Sequence, residues 1–154
     1  MSYVISDWRF EARRPVALGL DGDIEEMETS SFVSTPGVEP LLSYRHLDRA
    51  TLEIRLLRFF ANDEGDLIGS LSQARLEDSK IQYDALSYVW GSHAKSMHIT
   101  IDGQTLAITR NLQKALTLLV SVTARPLWVD AICIDQTNTG ERNHIVSLMH
   151  GIYR

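Results

Sequence analysis

Leu127-Trp-Val-Asp-Ala-Ile-Cys-Ile-Asp-Gln136 sets a carboxylate and a tryptophan inside an otherwise unbroken apolar run. Entered through Arg125-Pro126, the run reads as a buried strand. A lone carboxylate taken out of water must pair, collect hydrogen bonds or shift its pKa. Asp130 therefore demands a dedicated partner. By strict alternation it would share one strand face with Trp128 and Ile132. Arg142, Tyr88 and the hydroxyl of Ser87 have the chemistry to serve it.

Helical patterns flank this run on both sides. Upstream, Leu112, Ala115, Leu116, Leu119 and Val122 recur at helical spacing as one stripe, with Thr109 or Asn111 available as N-cap. Downstream, Asn138-Thr-Gly-Glu141 has the form of a capping box, and Ile145, Leu148, Met149 and Ile152 repeat the stripe. Helix, buried strand, helix is the grammar of an α/β layer structure. The expectation is a mixed, mostly parallel sheet with flanking helices.

Further out, Tyr83-Asp-Ala-Leu-Ser-Tyr-Val-Trp-Gly91 reads as a buried strand closed by a tight turn. Met97 to Ile101 and Gln104 to Ile108 flank Asp102-Gly103, which predicts a type I′ hairpin added antiparallel at a sheet edge. Glu53 to Phe60 and Leu67 to Leu76, separated by the turn-forming Ala61 to Asp66, predict a second antiparallel pair. The last apolar stripe runs to the chain end at Arg154, where a parallel sheet would call for another strand. The domain reads as truncated at its C-terminus.

The 154 residues are 44% hydrophobic and suit one domain plus a tail. The net charge of -5 is unevenly placed: residues 1 to 40 hold eight acids and three bases, the remainder twelve of each. With Ser30, Ser31, Ser34, Pro36, Gly37 and Pro40 beside the acids, residues 1 to 40 read as a disordered acidic leader, and residues 41 to 154 as the folded domain. A neutral body without a basic stripe argues against nucleic acid as partner. No run approaches the ~20 apolar residues of a membrane span, and no signal pattern opens the chain, so a cytoplasmic location is expected. Cys133 stands alone, which excludes a disulfide framework and a thiolate zinc cluster.

In open α/β sheets ligands gather at the carboxyl ends of strands. Two such ends carry polar and aromatic residues: Tyr88, Trp90 and Gly91 close one, and Asp135 and Gln136 lead from the other to Glu141 and Arg142. If the two strands are neighbours, Trp90, Asp135 and Gln136 line one crevice that suits a nucleotide or sugar-like molecule. Trp90 as core and Gln136 as a turn residue is the plainer alternative. Asp130 is either an acid with a raised pKa or a paired structural carboxylate. Glu141 suits the helix dipole without a catalytic role, and Arg142 suits an anion or Asp130. Cys133 within Val-Asp-Ala-Ile-Cys-Ile reads as an inert core residue. His144 and His150 lie six apart and share no helical face, and no metal motif appears.

Tyr83 to Gly91, Ile108 to Leu116, Leu127 to Gln136, Glu141-Arg-Asn and Met149-His-Gly-Ile-Tyr153, in this order, resemble the heterokaryon incompatibility (HET) domain of filamentous fungi. Tyr44-Arg-His-Leu-Asp48 and Ile54-Arg-Leu-Leu57 are similar to the lead-in that such proteins carry. The core motifs span residues 83 to 154. The resemblance implies nonself recognition and programmed cell death on fusion of incompatible hyphae, with other HET-domain proteins or further copies as partners. It implies a TIR-like fold by analogy, and through that analogy NAD as a substrate rather than a cofactor. A non-enzymatic module or decoy binding full-length HET proteins is a separate reading. The family pattern has Asn at the position of Asp135, an acid near Asn138 and Gln at Ile145, and continues into an Arg-x-Trp-Thr-x-Gln-Glu element absent here.

Overall fold

The computed structural model describes residues 2–5, 42–88, 91 and 93–153. Its strands are β1 (Ser2–Ile5), β2 (Glu53–Ala61), β3 (Leu67–Arg75), β4 (Asp84–Tyr88), β5 (Met97–Ile101), β6 (Gln104–Ile108) and β7 (Leu127–Val129). Its helices are α1 (Arg110–Leu119), α2 (Asp130–Cys133) and α3 (Thr139–Ile152).

Both expected hairpins form. β2 and β3 pair antiparallel in continuous register from Glu53↔Arg75 to Ala61↔Leu67. β5 and β6 pair around Asp102 and Gly103, whose φ values of 49° and 78° are both positive as a type I′ turn requires. The Asp102 Oδ2 accepts from the Leu71 amide at 3.2 Å, which stitches this turn to β3.

The strands form one seven-stranded sheet in the order β1-β4-β7-β2-β3-β5-β6. The β5–β6 hairpin lies at one edge, as expected. β1 with β4, β4 with β7, and β3 with β5 are parallel; β7 with β2, β2 with β3, and β5 with β6 are antiparallel. The sheet is thus evenly mixed rather than mostly parallel, because β2 takes an antiparallel neighbour on each side. β7 is enclosed between β4 and β2. β1 falls within the segment read as an acidic leader and pairs with β4 from Ser2↔Ala85 to Ile5↔Tyr88. The rest of that segment lies outside the described residues.

Apolar residues from sheet and helices meet in a single core. Leu57, Leu86, Leu127 and Val129 are fully buried, and the α1 stripe contributes Leu112, Ala115, Leu116 and Leu119. Each of the buried leucine and valine side chains contributes about 1.5–3 kcal/mol. Val122, expected on that stripe, lies beyond the helix end and is 58% exposed. Thr109 is the α1 N-cap, its Oγ1 accepting from the Leu112 amide at 3.3 Å. On α3, Ile145 and Ile152 are buried and Leu148 and Met149 pack partly against the core.

The opening stretch departs most from expectation. Strand geometry ends at Val129, and Asp130–Cys133 winds into the one-turn helix α2. Asp130 is therefore not a mid-strand carboxylate, and it does not alternate on a strand face with Trp128 and Ile132. Trp128 and Ile132 remain core residues, the Trp128 ring meeting Tyr153 edge-on at 5.4 Å.

Candidate functional site

β4 and β7 run side by side and parallel, with Asp84↔Leu127 through Leu86↔Val129 in register. Their carboxyl ends therefore open at the same place. β4 delivers Tyr88 there, and β7 delivers Asp130 as the first residue of α2. From α3, Tyr153 reaches back to the same region, its hydroxyl donating to the Leu86 carbonyl at 3.4 Å. Burial pushes the Tyr88 phenol well above its ordinary value, and the Asp130 charge adds to that, against a hydrogen bond with Thr109. Burial and then Asp130 push Tyr153 up to about 12. A carboxylate thus sits near two phenols that remain protonated donors. This arrangement suits holding a polar group and gives no phenolate nucleophile at neutral pH.

The backbone around Asp130 is fixed locally. Its Oδ1 accepts from the Ala131 amide at 2.7 Å, and its carbonyl accepts from Gln136 Nε2 at 2.8 Å. Of the expected partners, Tyr88 is an electrostatic neighbour of Asp130. Arg142 is exposed on α3.

Gly91 follows the β4 end at φ +65°, a left-handed conformation that favours glycine. A Cβ there would fall 2.3 Å from Asn111 Nδ2, so α1 packs directly on this glycine. Trp90, expected to wall the crevice, lies outside the described residues.

Asp135 organises a turn. Its Oδ1 accepts from the Thr137 amide at 3.0 Å and the Thr137 hydroxyl at 2.6 Å. Asn138 then caps α3, accepting from the Glu141 amide at 3.0 Å. The second half of a capping box does not form. Glu141 is buried, 6% exposed, and its carboxylate turns inward to the equally buried Arg55 of β2.

Arg55 is the residue that sequence reading missed. All five guanidinium N–H groups have acceptors. Nη1 donates to Glu141 Oε1 and the Cys133 carbonyl, Nη2 to Glu141 Oε2 and the Arg45 carbonyl, and Nε to Arg45 again. The guanidinium also lies 4.9 Å from the Tyr44 ring centroid, and the Tyr44 hydroxyl donates to the Ile132 carbonyl at 3.0 Å. Glu141 Oε1 additionally accepts from the Asp135 amide at 2.8 Å. Glu141 is thus an internal counter-charge that fixes α2, the Asp135 turn and the α3 start onto β2. The available signal was alternation: Arg55 shares its face of β2 with Leu57 and Phe59, where a solvated charge does not belong.

Cys133 is buried, and its thiol is pushed up to about 12, chiefly by burial. Its Sγ accepts from the Val129 amide at 3.4 Å. A protonated, enclosed thiol is a core residue, as expected. Among the described residues no cluster of three His, Cys, Asp or Glu could hold a metal ion.

Residues 83–154 match the family model described as Heterokaryon incompatibility protein (HET). These residues belong to the HET family. Heterokaryon incompatibility protein 6, OR allele, of Neurospora crassa is 36% identical over 85 residues, covering 46% of this chain and 12% of that relative. The chain thus spans about an eighth of that relative's length. No solved structure matches. Tyr88, Gly91, Asp130, Asp135, Gln136, Glu141 and Arg142 all lie within the HET match, whereas Arg55 and Tyr44 lie upstream of it. The buried ion pair therefore joins the matched region to the preceding strand pair. No helix among the described residues is long and apolar enough to cross a membrane.

Proposed function

We propose that this HET domain serves fungal nonself recognition, its activation ending in growth arrest and cell death. It acts in the cytoplasm, together with other HET-family proteins or further copies of itself. The HET match over residues 83–154 carries this reading, supported by a relative named for heterokaryon incompatibility. The geometry supports a specific working surface: Asp130 at the joint carboxyl end of β4 and β7, near Tyr88 and Tyr153, on a turn that Arg55 and Glu141 hold rigid.

Inducible expression in a filamentous fungus tests it. The wild-type chain is expected to arrest growth, and Asp130→Ala, expressed to the same level, to abolish the arrest. Unimpaired growth with abundant folded wild-type chain would remove the reading. Arrest that persists in Asp130→Ala would leave the function and discard this surface.

A further inference from the structure

A cavity lies at the amino ends of β4 and β7, opposite the Asp130 surface. It holds about 490 Å³ and is formed by β2, β3, the β3–β4 connection and the segment leading into β7. Leu56, Ile81 and Pro126 supply apolar lining, and Arg58, Lys80 and Arg125 contribute three cations, with no aspartate or glutamate lining it. β7 begins directly after Pro126, so Asp130 lies beyond three strand residues, about 13 Å from Pro126 along the chain.

The cations arrive from three separate segments. Arg58 stands two residues after Leu56 on β2 and so projects from the same sheet face. Lys80 belongs to a turn fixed by its own amide, which donates to Asp78 Oδ1 at 2.9 Å. Arg125 is drawn to the buried Asp84, with Nη1 3.8 Å from Oδ1, while Thr123 donates to the other Asp84 oxygen at 3.1 Å. Among the described residues neither Arg58 nor Lys80 has an ion pair. The body of the chain carries as many acids as bases, so a cavity whose charged lining residues are all cationic is a local arrangement and not the reflection of a basic domain.

We propose that this cavity binds a phosphorylated small molecule, with Arg58, Lys80 and Arg125 on the phosphates and the apolar lining under a planar or apolar body. Guanidinium groups pair with phosphate oxygens in a planar, often bidentate geometry, and an ammonium adds a point charge. Leu56, Ile81 and Pro126 then reward a ligand with more than phosphate to bury. The site is separate from the Asp130 surface and does not depend on its function.

Calorimetric titration of the full chain with ADP, pyrophosphate and adenosine tests this, at low and at raised salt. ADP is expected to bind with one site, pyrophosphate more weakly, and adenosine not at all over the same range. Raised salt weakens binding. Arg58→Ala and Lys80→Ala alter exposed side chains, and each is expected to weaken ADP about fivefold or more, as loss of one charge-assisted contact implies. Asp130→Ala is expected to leave ADP affinity unchanged. Amide NMR shifts on the wild-type chain give a readout independent of variant folding, and should move at Arg58, Lys80 and Arg125. No saturable binding of ADP or pyrophosphate at low salt would overturn the proposal. So would adenosine binding as tightly as ADP, an unaffected Arg58→Ala, Lys80→Ala double variant, or shifts confined elsewhere.

Discussion

Arg55 and Glu141, 86 residues apart in sequence, meet in the interior through two hydrogen bonds, Nη1 to Oε1 at 2.5 Å and Nη2 to Oε2 at 3.0 Å. Neither ion could be buried without the other. Their remaining polar atoms are taken up by the carbonyls of Arg45 and Cys133 and by the Asp135 amide. The pair thus adds a buried side-chain lock to the β2–β7 and β3–β5 pairings that join the upstream strands to the HET-matched region.

Removing one partner strands a buried charge, which typically costs about 3–5 kcal/mol. Arg55→Met and Glu141→Leu are each expected to destabilise by that order in urea unfolding. The double variant is expected to lose much less than the sum. Strict additivity in this cycle would mean that the two side chains do not act as a pair.

The Cys133 thiol gives stability a defined alkaline dependence. Burial raises its folded pKa from an ordinary 9.0 to about 12, so the unfolded chain releases this proton first. The contribution of the protonated thiol to stability is fully present below about pH 9 and is lost as pH rises from there toward 12. Cys133→Ala should lose stability at pH 7 through its cavity, yet decline less steeply between pH 9 and 11. Equal slopes for both chains would contradict the assignment. The thiol should also resist alkylation in the folded state at neutral pH.

Gly91→Ala places a methyl group 2.3 Å from Asn111 Nδ2 and forces a left-handed φ of +65° on a residue with a Cβ. The backbone term alone costs about 1–2 kcal/mol. Thermal unfolding should show a loss of at least that size, and Gly91→Ala, Asn111→Gly should recover the steric part. No recovery would point to the backbone alone.

Asn138→Ala removes the acceptor for the Glu141 amide at the α3 N-terminus. A loss of about 0.5–2 kcal/mol is expected, with Asn138→Asp close to wild type. If Asn138→Asp proved as damaging as Asn138→Ala, repulsion from the buried Glu141 carboxylate would outweigh the cap.

The sequence by itself determined every element whose cause is local. Asp102-Gly103 dictates its hairpin because both residues tolerate positive φ, and the Leu112 to Leu119 stripe dictates α1 because its spacing places one apolar face inward. Thr109 and Asn138 are caps by their own chemistry. The order of HET motifs was equally legible. Only the tertiary structure decided the fate of the Leu127 to Gln136 stretch. Period cannot tell a short apolar strand from a buried helical turn, and a four-residue helix does not hold itself together. α2 exists because Arg55 binds the Cys133 carbonyl, Tyr44 binds the Ile132 carbonyl, and Gln136 binds the Asp130 carbonyl. Arg55 and Tyr44 lie 78 and 88 residues upstream of the carbonyls they bind, and no local pattern names them. Alternation marked Arg55 as misplaced, but only folding brought Glu141 to it, since the energy of a buried pair depends on three-dimensional proximity and not on spacing in the chain.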